Sequence, residues 1–127
     1  MRKTFRKEER LCSKLLINQL FHNGSSFVVY PFRVVFLSVE EKLPQTAQVL
    51  LSVPKRRFKF AHQRNRIKRK MREAYRLQKN ELLYDRIRHI PGSLILAIQY
   101  IGAEDLPYEV LSGSMHKALN RIAHELA

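Results

Sequence analysis

The chain has 127 residues, with 24 lysines and arginines against 11 acids, a formal net charge of +13 and a hydrophobic fraction of 45%. That length suits one domain with a core of ordinary size, and so much apolar content excludes a disordered basic tail. A folded scaffold this positive is expected to bind a polyanion.

Leu11, Leu15, Leu16, Leu20 and Phe21 recur at helical spacing between Lys7 and Phe21. They predict a first helix that stops at Asn23-Gly24, where glycine would supply a left-handed cap. Phe27 to Val39 is rich in Phe, Val and Tyr and is interrupted by Pro31, which has no amide for a ladder and so marks a strand boundary or edge. Gln45 to Val53 reads as a second strand, and the polar link Glu40-Glu41-Lys42-Leu43-Pro44 predicts that the two form a hairpin.

Pro54 opens the most charged stretch: between Lys55 and Arg76 eleven cations stand against Glu73 alone. Ala61 to Leu83 lacks Gly and Pro and carries Ile67, Met71, Ala74, Tyr75 and Leu82 at helix-like spacing, a longer second helix followed by Pro91-Gly92. Leu94 to Ile101 predicts a central strand covered on both faces. Beyond Pro107, the set Leu111, Met115, Ala118, Leu119, Ile122 and Leu126 marks a third, amphipathic helix, in which Gly113 costs about 1 kcal/mol relative to alanine. The order predicts a single α+β domain over residues 1–127 with three helices and one mainly antiparallel sheet.

The lone Cys12 allows no internal disulfide and no cysteine-type zinc site, which suits a reducing, intracellular compartment. Met1-Arg2-Lys3 is followed by Arg6, Lys7, Glu8, Glu9, Arg10 and Lys14, so no apolar signal segment is present, and Leu94 to Ile98 is far too short to span a bilayer. A soluble, cytoplasmic protein with no membrane partner is expected.

With Ile67 set inward on the second helix, Met71, Ala74 and Gln78 lie near it. Arg64, Arg66, Lys68 and Lys70 flank that stripe, and Asn65, Arg69, Arg72 and Arg76 point away. A solvated face usually mixes both signs, and stabilising Glu–Lys pairs are nearly absent here. A phosphate backbone is the expected partner, for which the bidentate grip of arginine is suited. If roughly six to eight of these cations meet phosphates, affinity should fall with salt at a log–log slope of about −4 to −7.

Protein-borne catalysis is not expected. His22, His62, His89, His116 and His124 include no pair at metal-binding helical spacing, and Glu40-Glu41 and Glu104-Asp105 read as solubilising turns. No glycine-rich phosphate loop is present.

Arg64-Asn65-Arg66-Ile67-Lys68-Arg69, followed by Met71-Arg72-Glu73-Ala74-Tyr75, resembles the arginine-asparagine-arginine motif of the bacterial ribonuclease P protein subunit. Leu51-Ser52-Val53-Pro54-Lys55-Arg56 looks like that family's strand end leading into the motif. Arg10-Leu11, Phe21, Gly24, Phe32 and Pro107-Tyr108-Glu109 match further along, so the resemblance spans nearly the whole chain. It implies a ribosomal-protein-like fold with a sheet of about four strands and a left-handed βαβ crossover. The implied function is to help a catalytic RNA subunit, which uses magnesium, remove the 5′ leader from precursor tRNA by endonucleolytic cleavage. It further implies that Arg64, Asn65, Arg66, Lys68, Arg69 and Arg72 bind the catalytic RNA, with Lys55, Arg56, Arg57 and Lys59 extending the surface. A leader-binding cleft would use Phe21, Phe32 and Lys68, the aromatics as base-stacking positions. No magnesium ligand is assigned to the protein.

The chain departs from the family pattern at Phe58-Lys59-Phe60, where a small Gly-Asn turn is common, at Val35, where an aromatic is usual, and at Gln99-Tyr100-Ile101, which lacks an arginine. The alternative reading is a ribosomal protein or general RNA-binding chaperone, distinguished by its indifference to precursor over mature tRNA. No helix-turn-helix adjoins the Arg64 to Arg76 segment, and DNA is not an expected partner.

Overall fold

A computed structural model describes residues 4–126, which leaves Met1-Arg2-Lys3 of the charged start outside the described residues. A 3₁₀ turn at Lys7–Glu9 precedes helix α1 (Lys14–Asn23) and strands β1 (Ser25–Val29), β2 (Phe32–Val39) and β3 (Ala47–Ser52). Helix α2 (Ala61–Lys79), strand β4 (Ser93–Tyr100) and helix α3 (Tyr108–Leu126) complete the chain. The strands form one sheet in the order β1-β2-β4-β3, with β1–β2 and β2–β4 antiparallel and β3–β4 parallel.

The α+β architecture agrees with expectation, but the predicted hairpin does not form. Gln45–Val53 never pairs with Phe27–Val39; the hairpin lies within the latter, turning at Tyr30-Pro31, and β4 separates β2 from β3. The reason is burial. Every residue of β4 except Gln99 is buried, and a strand apolar on both faces must take the middle of the sheet. Parallel β3 and β4 cannot be joined by a tight turn, so the chain between them crosses over through α2.

Helices cover both faces. Ile67, Met71, Ala74 and Tyr75 of α2 and Leu111, Met115, Ala118, Leu119 and Ile122 of α3 build the larger core with Phe32, Val34, Leu96 and Ile98. On the other face, Leu16 and Leu20 of α1 pack with Leu11 on Val35, Val39, Ile95 and Ala97.

Two boundaries differ from the periodicity. α1 starts only at Lys14, because Ser13 caps it by accepting the Leu16 amide at 3.3 Å, while Leu11 donates its amide to the Val49 carbonyl at 2.9 Å as part of an extended strap along β3. Gly24 ends α1 but is extended (φ −75°), not left-handed. Glycine is required there by crowding, since a Cβ would sit 2.4 Å from the Leu20 carbonyl oxygen and 2.9 Å from Val35 Cγ1.

α2 runs on into a π-helical turn at Asn80–Tyr84 and a short turn at Asp85–Ile87, which directs Leu83 and Tyr84 inward. Near it lies an unforeseen ion pair: buried Lys79 on buried Glu9, whose carboxylate also accepts from the Arg6 amide and the Tyr84 hydroxyl, both at 2.7 Å. The strap is thereby clamped to the end of α2.

Gly113 is exposed on α3, and a Cβ there meets nothing within 4 Å. Gly113→Ala should therefore stabilise the fold by about 1 kcal/mol, read from thermal or urea unfolding.

Candidate nucleic-acid interface

Ile67, Met71, Ala74 and Tyr75 are fully buried, which fixes the rotation of α2 and leaves its other sides to cations. The cations of α2 and of the segment leading into it fall into two sets, with Arg76, paired to Glu73, in the first. In the first, the protein itself holds the charged groups. Arg64 donates from Nη1 to the Phe58 and Lys59 carbonyls at 2.7 and 2.9 Å, and Arg57 donates to the Ile101 carbonyl at 2.9 Å. Arg66 Nε and Lys70 Nζ share the Asp105 carboxylate at 2.7 and 2.8 Å, and Lys70 also reaches the Leu106 carbonyl at 3.0 Å.

The second set is Lys55, Arg56, Lys59, Lys68, Arg69 and Arg72, with Asn65 among them. None of these side chains makes a hydrogen bond or ion pair with a described residue. All are exposed except Lys68, which is half-buried. Lys68 and Arg72 lie one turn apart, a like-charge pair that costs an isolated helix about 0.2–0.5 kcal/mol and is relieved when phosphate lies between them.

Asp105 corrects the reading of Glu104-Asp105 as a solubilising turn. Burial pushes its carboxyl upward, but the hydrogen bonds and charges of Lys70 and Arg66 outweigh that and hold it below the usual carboxylate range. Asp105→Asn should lower stability by less than about 1 kcal/mol, because pairs this accessible to water are screened. RNA should bind at least as tightly to the variant, since two cations are released; unfolding and salt-titrated binding curves check both parts.

A second feature lies on the face that α1 covers. The strand register sets Val28, Arg33, Gln99 and Ser52 in one row across all four strands, next to the row of Ser26, Val35, Ala97 and Leu50. Val28 and Arg33 of this row are exposed. Arg33 and Gln99 also line a groove of about 290 Å³ closed by Arg56 and Arg57. At the β3 edge, a groove of about 200 Å³ places Phe5, Leu11 and Leu51 beside Lys68 and Arg72.

Phe21, on α1, is 45% exposed, enough to offer a ring to a base. Phe32 is not: it is fully buried, edge-on to Tyr100 at 6.3 Å, and drops out as a stacking position. Strand alternation explains the correction, because Phe32 points to the face opposite its neighbour Arg33. Neither groove is lined by Phe21 or Phe32, so the three expected cleft residues Phe21, Phe32 and Lys68 are not brought together in one of them. Arg33 was missed, although its place in a strand beside buried Phe32 and Val34 signals an outward-facing cation.

All five histidines are exposed, and among the described residues no group of three or more His, Cys, Asp and Glu is placed to hold a metal ion. No helix of the described residues is long and apolar enough to cross a membrane.

The family model described as Ribonuclease P matches residues 5–123. The chain belongs to this family. The ribonuclease P protein component of Porphyromonas gingivalis (strain W83) is 40% identical over 117 residues, covering 92% of this chain and 85% of the relative. That of Chlorobium phaeobacteroides is 34% identical over 129 residues, covering 94% and 88%. The fold is shared with the ribonuclease P protein of Staphylococcus aureus (TM-score 0.71, 20% identity, 95% of this chain and 100% of that one). It is also shared with that of Thermotoga maritima (TM-score 0.69, 19% identity, 89% and 96%). In this ribonuclease P family member the arginine-asparagine-arginine string occupies the first turns of one helix, with Asn65 unengaged between two arginines that the protein holds.

Proposed function

We propose that the chain is the RNA-binding subunit of ribonuclease P and assists a catalytic RNA in removing the 5′ leader of precursor tRNA in the bacterial cytoplasm. The observation that carries this is the set of six cations, Lys55, Arg56, Lys59, Lys68, Arg69 and Arg72, that pair with no described residue and lie on a continuous stretch without an acid. They would grip the phosphates of the catalytic RNA. The row of Val28, Arg33, Gln99 and Ser52, with exposed Phe21 on α1, suits a single-stranded leader: shallow, partly apolar and basic at one end. Magnesium supplies hydrolytic chemistry in the RNA. The protein's part is to bind and orient the two RNAs.

The test is reconstitution. Protein alone should cleave nothing, and its addition to the cognate RNA should tighten precursor tRNA over mature tRNA and lower the magnesium needed. A protein that changes neither quantity, or binds both tRNAs alike, defeats the proposal and favours a general RNA chaperone. Six phosphate contacts place the salt slope of catalytic-RNA binding at about −4 to −5.

A further inference from the structure

Phe60 is 60% exposed, among the most exposed large apolar side chains of the described residues, yet it stands in the most cationic part of the chain. Its ring is not loose. His62 stacks on one face with centroids 5.7 Å apart and planes 16° from parallel. The backbone leading to it is pinned. Phe58, two residues earlier, is buried edge-on against Tyr100 at 5.9 Å, and Arg64 holds the Phe58 and Lys59 carbonyls. His62 thus covers one face of the ring and much of the rest is open to water, while the held backbone lowers the conformational entropy to be lost on binding.

A flat apolar surface on a stretch that also carries Arg56 and Lys59, neither of them paired with a described residue, fits a ligand that is flat and aromatic and carries an adjoining negative charge. A nucleotide whose base is unpaired has that chemistry. A duplex does not, because its base faces are already stacked. We infer that Phe60, backed by His62, is a stacking platform for an unpaired base of bound RNA, an addition to the phosphate contacts of α2 that rests on the function proposed above. Arg64 acts here as a positioning residue by holding the turn that presents the ring.

The experiment compares Phe60→Ala, Phe60→Leu and Phe60→Trp in two binding assays, one with the catalytic RNA and one measuring leader-dependent binding of precursor tRNA to the reconstituted complex. Stacking predicts a loss of about 5- to 100-fold for Ala and Leu in one of the two assays, with affinity kept by Trp. The assay that responds names the source of the base. The salt slope should stay unchanged, because no charge is removed, and the unfolding midpoint should stay close to wild type, because the ring is exposed. Equal affinity of all variants in both assays overturns the platform while leaving the wider reading standing, provided the wild-type complex assembles. Equal loss in Leu and Trp also overturns it, since that shows a shape requirement and not stacking. Wild-type protein that does not bind the catalytic RNA defeats the wider reading instead.

Discussion

Replacing Lys68, Arg69 and Arg72 together by glutamine should weaken catalytic-RNA binding on the order of 100-fold at moderate salt and flatten the salt dependence by about two to three units of log–log slope. Each lost contact to a charged phosphate is taken at about 1 kcal/mol after solvent screening, and each removes nearly one released counterion. Stability should move the other way. Lys68 and Arg72 repel each other across one turn and have no partner among the described residues, so their removal should leave the unfolding midpoint unchanged or slightly raised. Arg69→Gln alone should cost more binding than Arg66→Gln, since Arg66 is already engaged by Asp105. Unchanged affinity and slope in the triple variant would show that α2 does not face the RNA.

Glu9→Gln should destabilise the fold by about 3 kcal/mol, the largest stability effect expected of a single polar substitution here, because it leaves the Lys79 ammonium buried without a counter-charge. Combining it with Lys79→Met should recover most of the loss, since a buried pair replaced by apolar volume is often neutral, and the cycle measured by urea unfolding reads the coupling directly. Amide exchange at Leu11, which bonds to Val49, should accelerate in the single variant as the strap loosens.

The same clamp carries a pH dependence. Burial raises the Glu9 carboxyl, but the Arg6 amide, Lys79 and Tyr84 together outweigh it and hold the group below the ordinary glutamate value of 4.5. The folded chain therefore sheds this proton at lower pH than the unfolded chain does. The clamp's contribution is fully present above about 4.5 and is lost as the pH falls through the lower folded value. Unfolding curves between pH 3 and 6 should show a smaller acid dependence in Glu9→Gln than in wild type. The same slope in both would mean that other carboxylates govern acid unfolding.

Elements with a strong local period were legible. Ile67, Met71, Ala74 and Tyr75 announced the inward face of α2, the spacing from Leu111 to Ile122 that of α3, and the apolar run from Leu94 the central strand. The pairing of strands was not legible, because alternation states which face a residue takes and nothing about which neighbour lies beside it. Phe32 shows the same limit within the candidate site: its match to an aromatic position is a property of the string, while its burial against Tyr100 depends on a strand 68 positions away in the chain.

By itself the sequence determined that this is a folded, strongly basic α+β domain with a cationic helix and a recognisable arginine-asparagine-arginine string, since charge excess and helical period are local and survive any tertiary arrangement. Only the tertiary structure decided which cations remain available to RNA. Arg57 reaches a carbonyl 44 residues away, Lys70 a carboxylate 35 residues away and Lys79 a carboxylate 70 residues away. The first two pairings exist because β4 must be buried on both faces, which forces the α2 crossover and carries the chain after β4 back beside the basic segment; the third exists because the N-terminal strap runs along β3 to the end of α2.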